Sequence, residues 1–171
     1  RKGFRYAIEI GEYEKFSAAF PFEETADQES AISSVIDDMN SERAMDRLVC
    51  GDVGFGKTEV AMRAAFVAVQ NNKQVAILVP TTLLAQQHYE SFQDRFANWP
   101  MVVEVISRFK SGAEQKESLQ NVLEGKIDIL IGTHKLLQGD VNYKNLGLLI
   151  IDEEHRFGVH QKEKLKILWK H

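Results

Sequence analysis

The chain has 171 residues, of which 44% are hydrophobic and 27% charged, and its formal net charge is −4 at neutral pH. This make-up is typical of one globular domain, which at such a length buries about 70% of the surface of its unfolded chain. A pI near 5.8 excludes a general polycation, so any contact with nucleic acid would have to use a local patch.

The single cysteine, Cys50, cannot form an internal disulfide, and no cluster has the spacing of zinc ligands. No apolar run approaches the roughly 18 residues of a membrane span, and the N-terminus lacks the apolar core of a signal peptide. We therefore expect a cytoplasmic protein. Because the chain begins at Arg1 and ends in a Lys-rich, helix-like tail without a stop signal, we also expect it to be part of a longer protein.

The first predicted element is a short amphipathic helix over residues 12–20. Its apolar face carries Tyr13, Phe16 and Phe20, and Pro21 then ends it.

A second helix is predicted after Thr25, because Thr25 and Gln28 match a capping box. An apolar stripe follows, formed by Ala31, Ile32, Val35, Ile36 and Met39. Gln28 has two possible roles. Its amide either closes the cap or binds the edge of an adenine, which requires a donor and an acceptor on one group.

Residues 51–58 fit the phosphate-binding loop pattern G-x-x-x-x-G-K-[ST] at every fixed position. The apolar segment 47–50 precedes the loop as a strand, and residues 59–69 follow it as a helix. Backbone N–H groups of such a loop surround phosphate oxygens, and glycine makes the necessary turns without strain. The predicted nucleotide-binding residues are Gly51, Asp52, Val53, Gly54, Phe55, Gly56, Lys57 and Thr58.

Two residues of this loop have separate chemical roles. Lys57 supplies positive charge to the outer phosphates, and the hydroxyl of Thr58 can bind the Mg²⁺ that accompanies ATP.

The rest of the chain alternates between strands and helices. Strands are predicted over 74–80, 102–106, 127–133 and 146–151, with helices over 83–96 and from a second capping box at 111–114 to about 123. The unbroken apolar runs indicate strands buried on both faces. The sequence therefore predicts a three-layer α/β fold with a mainly parallel sheet.

The last predicted strand delivers two carboxylates, Asp152 and Glu153, at its carboxyl end, which is the edge where open α/β sheets bind ligands. The phosphate loop opens at the same edge. Asp152 is then placed to hold Mg²⁺ through the water shell of the ion, and Glu153 to orient or deprotonate the water that attacks the γ-phosphate. His155 is either a hydrogen-bonding link from the nucleotide to the rest of the protein or an ordinary surface histidine.

Five segments together resemble the motifs of superfamily 2 helicases, in the family order Q, I, Ia, Ic and II. The resemblance is greatest to the first motor lobe of the bacterial transcription-repair coupling factors, and RecG branch-migration helicases are near relatives. The segments are residues 20–28, 51–58, 80–86, 132–137 and 152–158.

The resemblance implies a RecA-like lobe over residues 25–171, preceded by a lead-in segment, residues 1–24. It implies ATP-driven translocation on double-stranded DNA, with Gln28 contacting adenine and with Thr82, Thr133 and Arg108 facing the DNA backbone. Thr82 and Thr133 could equally be helix caps, and Arg108 a solvated cation. The implied partners are RNA polymerase stalled at a lesion, excision-repair proteins and a second motor lobe.

The third motif of the family, a Thr-Ala-Thr-Pro strand, is expected after residue 171, as is the second lobe with its arginine finger. Since an arginine finger contributes about 10³ to 10⁵ in rate, we expect the 171 residues alone to bind ATP weakly and to hydrolyse it scarcely. The strand of the third motif normally separates the strands at 47–50 and 146–151. Without it, these strands should lie either about 9.5 Å apart, with an open slot, or about 4.8 Å apart. Rearrangement or strand borrowing from a partner chain is the expected result.

Three alternatives remain at this stage. The chain could be a lobe of a RecG-like branch-migration helicase, or a nucleotide-gated interaction module that binds ATP without hydrolysing it. A small-molecule P-loop kinase is less well supported, because no arginine-rich lid follows the loop helix.

Overall fold

The structure is a computed structural model that describes residues 4–41, 47–50, 58–107, 111–137 and 141–152. Five helices, five strands and one short 3₁₀ helix lie in these ranges, and each predicted helix and strand is among them. In chain order they are α1 (Ile10–Ala18), α2 (Ala26–Met39), β1 (Arg47–Cys50), α3 (Thr58–Gln70), β2 (Gln74–Leu78), α4 (Thr82–Arg95), β3 (Val103–Val105), α5 (Gly112–Leu123), β4 (Ile129–Gly132), the 3₁₀ helix (His134–Leu137) and β5 (Leu146–Asp152).

Side-chain caps fix where the helices begin. Both predicted capping boxes are present: the Thr25 hydroxyl accepts from the Gln28 backbone N–H at 3.1 Å while Gln28 Oε1 accepts from the Thr25 N–H at 2.9 Å, and Ser111 pairs with Glu114 in the same way. Helix α1 begins at Ile10, earlier than predicted, because Glu9 accepts from a backbone N–H of the first turn.

Helix α4 is capped by Thr81, whose hydroxyl accepts from the Leu84 backbone N–H at 3.1 Å. Thr82 is therefore the first helical residue, and its interpretation as a cap is wrong. The cap matters for the site because α4 carries a histidine that approaches the end of β5.

The five strands form one sheet in the order β1-β5-β2-β4-β3, and every neighbouring pair is parallel. The predicted parallel α/β sheet is confirmed. Side chains alternate between its two faces. In β2, for example, Val75 and Ile77 join one hydrophobic cluster while Ala76 and Leu78 join another.

The two clusters make the outer layers unequal. The larger one lies beneath α1, α2, α3 and α4, and the smaller one beneath α5 and the 3₁₀ helix. Helix α3 is buried over Glu59 to Ala68, and apart from Glu59 and Arg63 these residues are apolar, which is why the helix lies between the sheet and its neighbouring helices rather than at the surface.

The expected rearrangement, or borrowing of a strand from a partner chain, between β1 and β5 is wrong. Strand β1 pairs directly with β5, and the Cα of Cys50 lies opposite the Cα of Asp152. The described sheet is therefore continuous within one chain, with the closer of the two expected spacings, and it has neither an open slot nor a borrowed strand between β1 and β5. Direct pairing satisfies backbone N–H and C=O groups that a slot would have left exposed at two strand edges.

The lead-in segment packs into the same core as the rest of the chain. Phe16 is fully buried, stacks on Phe66 at 4.3 Å between ring centroids and contacts Trp99 edge-on. Tyr6 is also fully buried, and its hydroxyl donates to the carbonyl oxygen of Gly147 at 2.8 Å.

Within the described ranges, none of the helices is both long and apolar enough to cross a membrane.

Candidate nucleotide and metal site

The site is built where two parallel strands end side by side. Strand β1 ends at Cys50, β5 ends at Asp152, and these residues are partners in the sheet register. Helix α3 begins at Thr58, so the predicted phosphate loop is the stretch of sequence between the end of β1 and the start of α3. The loop residues themselves, Gly51 to Lys57, lie outside the described residues.

Alternation along β5 decides which way Asp152 faces. Leu148 and Ile150 contribute to the cluster under α3 and α4, whereas Leu149 and Ile151 contribute to the other one. Asp152 has the parity of Ile150, and accordingly lines a small cavity of about 10 Å³ together with Thr58, His88, Phe92 and three apolar residues, Ala61, Ile77 and Ile150. The structure thus brings together Thr58 and Asp152, two residues that the sequence assigns to one metal.

Asp152 is a buried carboxylate, and only one of its two oxygens has a hydrogen-bond partner among the described residues. Its side chain is 5% exposed, and Oδ2 lies 3.3 Å from Nε2 of His88. The other oxygen, Oδ1, is buried without a hydrogen-bond partner among the described residues. A buried carboxylate oxygen without a partner is costly, so its presence at the carboxyl edge of the sheet indicates a site for a cation or a donor.

Mg²⁺ fits this donor set. The ion prefers oxygen ligands and is usually bound by one or two carboxylates, water and substrate phosphates rather than by a cage of protein groups. Thr58 and Asp152 line one cavity, and such oxygens are present on both, in the Thr58 hydroxyl and the unpartnered Oδ1 of Asp152.

His88 is a site residue that the sequence analysis missed. It lies on α4 in a buried stripe with Ala85, Phe92 and Phe96, at helical spacing, and its side chain is 13% exposed. An ionised carboxylate can only accept, so the contact with Oδ2 requires the proton of His88 on Nε2. A polar residue within an apolar stripe was the available signal, because buried polar groups nearly always have a partner.

A second buried carboxylate, Glu59, follows Thr58 directly in the chain. It accepts from Nε of Arg63 and, through both oxygens, from Arg95 at 2.8 Å. Arg63 also donates to Glu24 at 2.7 Å, and Arg95 to the carbonyl oxygen of Phe16 at 2.6 Å. We call Glu59, Arg63 and Arg95 the arginine cluster; it ties the first turn of α3 to α4 and to the lead-in segment.

The charges of this cluster are held by one another. Burial by itself would lower the pKa of Arg63, but hydrogen bonds with Tyr13, Glu59 and Glu24 raise it above its ordinary value. The Arg95 guanidinium also lies over the Phe16 ring, 3.7 Å from its centroid. The arginine cluster is therefore a charged part of the core in which Arg63 and Arg95 share Glu59 and Arg63 also pairs with Glu24.

The other predicted site residues are dispersed or undescribed. Gln28 uses its amide oxygen in the cap of α2, which packs against α3. Thr82 is half-buried in the first turn of α4, and Thr133 is buried just before the 3₁₀ helix. Arg108, Glu153 and His155 lie outside the described residues.

The comparison with known families agrees with this geometry. Residues 25–171 match the family model of the DEAD/DEAH box helicases. The chain belongs to this family. Its five-stranded parallel sheet is accordingly a helicase RecA-like lobe, and the family assignment makes it a helicase-like, ATP-dependent enzyme domain.

Individual relatives are much longer than the chain. Over 168 residues it is 71% identical to the transcription-repair-coupling factor of Haemophilus influenzae and 66% identical to that of Escherichia coli, covering 98% of the chain and 15% of each relative. Among solved structures it is similar to RecG bound to a three-way DNA junction, with a TM-score of 0.81 and 40% identity over 92% of the chain and 22% of RecG. The chain thus spans about 15% of the length of the curated relatives it matches.

Proposed function

We propose that the chain is the ATP-binding lobe of a double-stranded DNA translocase that couples ATP hydrolysis to displacement of stalled RNA polymerase during transcription-coupled DNA repair. The observation that carries the proposal is the meeting of Thr58 and a half-partnered, buried Asp152 on one cavity, at the shared end of β1 and β5. The similarity to transcription-repair-coupling factors over 98% of the chain supports the biological setting.

In this proposal the nucleotide is ATP and the metal is Mg²⁺, which when bound neutralises charge on the phosphates. Gly51 to Gly56 cradle the phosphates through backbone N–H groups, and Lys57 pairs with the outer phosphates. Thr58 and Asp152 would hold the metal, and Glu153 would orient or deprotonate the attacking water. Gln28 binds adenine in exchange for its cap contact, and His155 passes the state of the nucleotide to the rest of the protein.

Contacts to DNA are also part of the proposal. Thr82, Thr133 and Arg108 would face the DNA backbone. Of these, Thr82 is half-buried and Thr133 is 5% exposed, so Thr133 would need a local opening of the segment after β4. RNA polymerase, excision-repair proteins and a second motor lobe would be the protein partners, all in the cytoplasm.

We place the boundary of the motor lobe at residue 25, with the lead-in segment as a brace held by Phe16 and Glu24. Slow hydrolysis by the 171 residues alone belongs to the same proposal. A comparison of their ATP turnover with that of the protein in its full natural length tests it, and equal turnover would contradict it.

The direct test is the ATPase rate of the full-length protein with and without duplex DNA. We expect stimulation by DNA in the natural protein and loss of both rates in Lys57→Ala. The matched control is Lys15→Ala, because Lys15 is a 72% exposed lysine paired only with neighbouring Glu12 among the described residues. A protein that binds ATP but does not hydrolyse it, with or without duplex DNA, would favour the alternative of a nucleotide-gated interaction module.

A second candidate function is supported by one observation, the structural similarity to RecG on a three-way DNA junction. A branch-migration lobe would be stimulated more by branched than by linear duplex DNA of equal length. Equal stimulation by both substrates, together with displacement of a stalled polymerase, would favour the coupling-factor role.

A further inference from the structure

We propose that His88 is a positioning residue for metal-dependent nucleotide binding: its Nε2–H holds Oδ2 of Asp152 so that Oδ1 stays available to the metal. The inference rests on the proposed function of Asp152 and goes beyond it, because it assigns a role to a residue of α4 that is no part of the phosphate loop or the acidic doublet.

The first observation is the unequal use of the two oxygens of Asp152. Oδ2 lies 3.3 Å from Nε2 of His88, whereas Oδ1 is buried and has no hydrogen-bond partner within the described ranges. One donor on one oxygen fixes the plane of the carboxylate and leaves the second oxygen for a ligand. Carboxylates that bind metals are commonly held in this way by a hydrogen bond from a neighbouring side chain.

The second observation is how firmly the histidine is held. His88 occupies a stripe of α4 in which Ala85, Phe92 and Phe96 are each at most 2% exposed. Thr81 caps the first turn of this helix, and Arg95 bonds its last turn to Glu59. The cap keeps the first turn helical and the Arg95 contact fixes the last turn to α3, which together restrict the position of His88 relative to β5.

The third observation is what else lines the cavity. Apart from Thr58, His88 and Asp152, the lining residues are Ala61, Ile77, Phe92 and Ile150, whose side chains offer no hydrogen-bonding group. Within this described lining, His88 is the residue that can donate a side-chain N–H to Asp152. A purely apolar residue at position 88 would leave both carboxylate oxygens without a hydrogen-bond partner among the described residues.

The test compares His88→Leu, which removes the donor and keeps an apolar stripe, with His88→Gln, which keeps an N–H donor at the end of the side chain. Binding of a fluorescent ATP analogue is titrated for the full-length protein with Mg²⁺ and again with chelator, and Mn²⁺ binding is followed by electron paramagnetic resonance. Gln87→Leu is the matched control, because Gln87 is the exposed neighbour on the same helix. Thermal unfolding of the ligand-free proteins is measured in parallel.

We expect His88→Leu to weaken Mg²⁺-dependent nucleotide affinity and Mn²⁺ affinity by about 10-fold to 100-fold, with affinity in chelator unchanged. We expect His88→Gln to recover most of the loss and Gln87→Leu to match the natural protein.

If His88→Leu binds the metal and the nucleotide as the natural protein does while Asp152→Asn does not, the role of His88 is overturned and the proposed site stands. If both His88 variants lose affinity equally with and without metal and also unfold earlier, His88 is merely structural and the proposal is likewise overturned. A natural protein whose nucleotide affinity is indifferent to Mg²⁺ would overturn the site and the role of His88 together.

Discussion

Two buried carboxylates lie close to the start of α3, and they are treated very differently by the fold. Glu59 receives hydrogen bonds from Arg63 and Arg95 on both of its oxygens. Asp152 is as deeply buried but has one contact, from His88, and one oxygen without a partner in the described structure.

The difference separates structure from function. Paired charges such as those of Glu59 hold elements together, and removing one partner exposes the others to an uncompensated burial cost. A carboxylate left half-paired is costly to the unliganded fold, and it is retained where binding requires it. We therefore infer that Glu59 is a structural residue of the motor lobe, and we propose that Asp152 is the residue that binds the metal.

The largest expected effect on stability comes from removing Glu59, the fully paired carboxylate. Glu59→Ala leaves two buried guanidinium groups without their shared carboxylate, so the free energy of unfolding should fall by about 3–5 kcal/mol. Chemical denaturation measures it. Glu90→Ala, on the exposed face of α4, should change the value by less than about 0.5 kcal/mol, and an equal loss in both variants would deny Glu59 its structural role.

Asp152→Asn should affect nucleotide binding rather than stability, in contrast to Glu59→Ala. We expect Mg²⁺-dependent nucleotide affinity to fall by at least about 10-fold to 100-fold, while the unfolding free energy of the unliganded protein stays equal or rises, because a buried charge with an unpartnered oxygen is removed. Paired titrations and denaturation curves measure both quantities. A variant as unstable as Glu59→Ala would show that Asp152 is structural after all.

A smaller effect is expected from the cap of the helix that carries His88. Thr81→Ala removes the acceptor for the Leu84 N–H and should lower stability by about 1 kcal/mol. Thr82→Ala, one residue further along, removes no cap and is the control. The reverse ranking would contradict the placement of the helix start.

The smallest effect is expected at Asp128, a half-buried carboxylate whose contribution to stability depends on pH. Burial raises the pKa of Asp128, and the hydrogen bond from the Val102 backbone N–H offsets this in part. Because the folded-state pKa lies above the unfolded one, the folded state binds more protons between the two values, and stability falls as pH rises through that window. Asp128→Asn, which keeps an acceptor, should abolish this slope and change stability at neutral pH by less than about 0.5 kcal/mol. An unchanged slope in denaturation midpoints between acidic and neutral pH would contradict the assignment.

Local patterns were sufficient for much of the fold. The capping boxes at Thr25 and Ser111 form as predicted because their bonds involve residues three apart. The apolar runs 146–151 and 74–80 predicted buried parallel strands, and Asp152 was placed at the correct edge because parallel strands share their carboxyl ends.

What the sequence could not supply depends on contacts distant in the chain. His88 and Asp152 are 64 residues apart, and Glu59 and Arg95 are 36 apart. In the sequence, His88 simply interrupts the apolar stripe of α4, and the spacing of that stripe does not reveal which residue the histidine contacts. The expected rearrangement or strand borrowing between β1 and β5 was wrong for a similar reason: strand order depends on which backbone edges can pair, and a local pattern does not contain that information.

The central claim is that Thr58 and Asp152 hold one metal between the ends of β1 and β5. The most direct measurement is a crystal structure of the protein with Mn²⁺ and a non-hydrolysable ATP analogue, using the anomalous signal of the metal. We predict a single strong peak between the Thr58 hydroxyl and Oδ1 of Asp152, with phosphate oxygens completing its shell. A nucleotide and metal bound elsewhere, with Oδ1 of Asp152 still unpartnered, would contradict it.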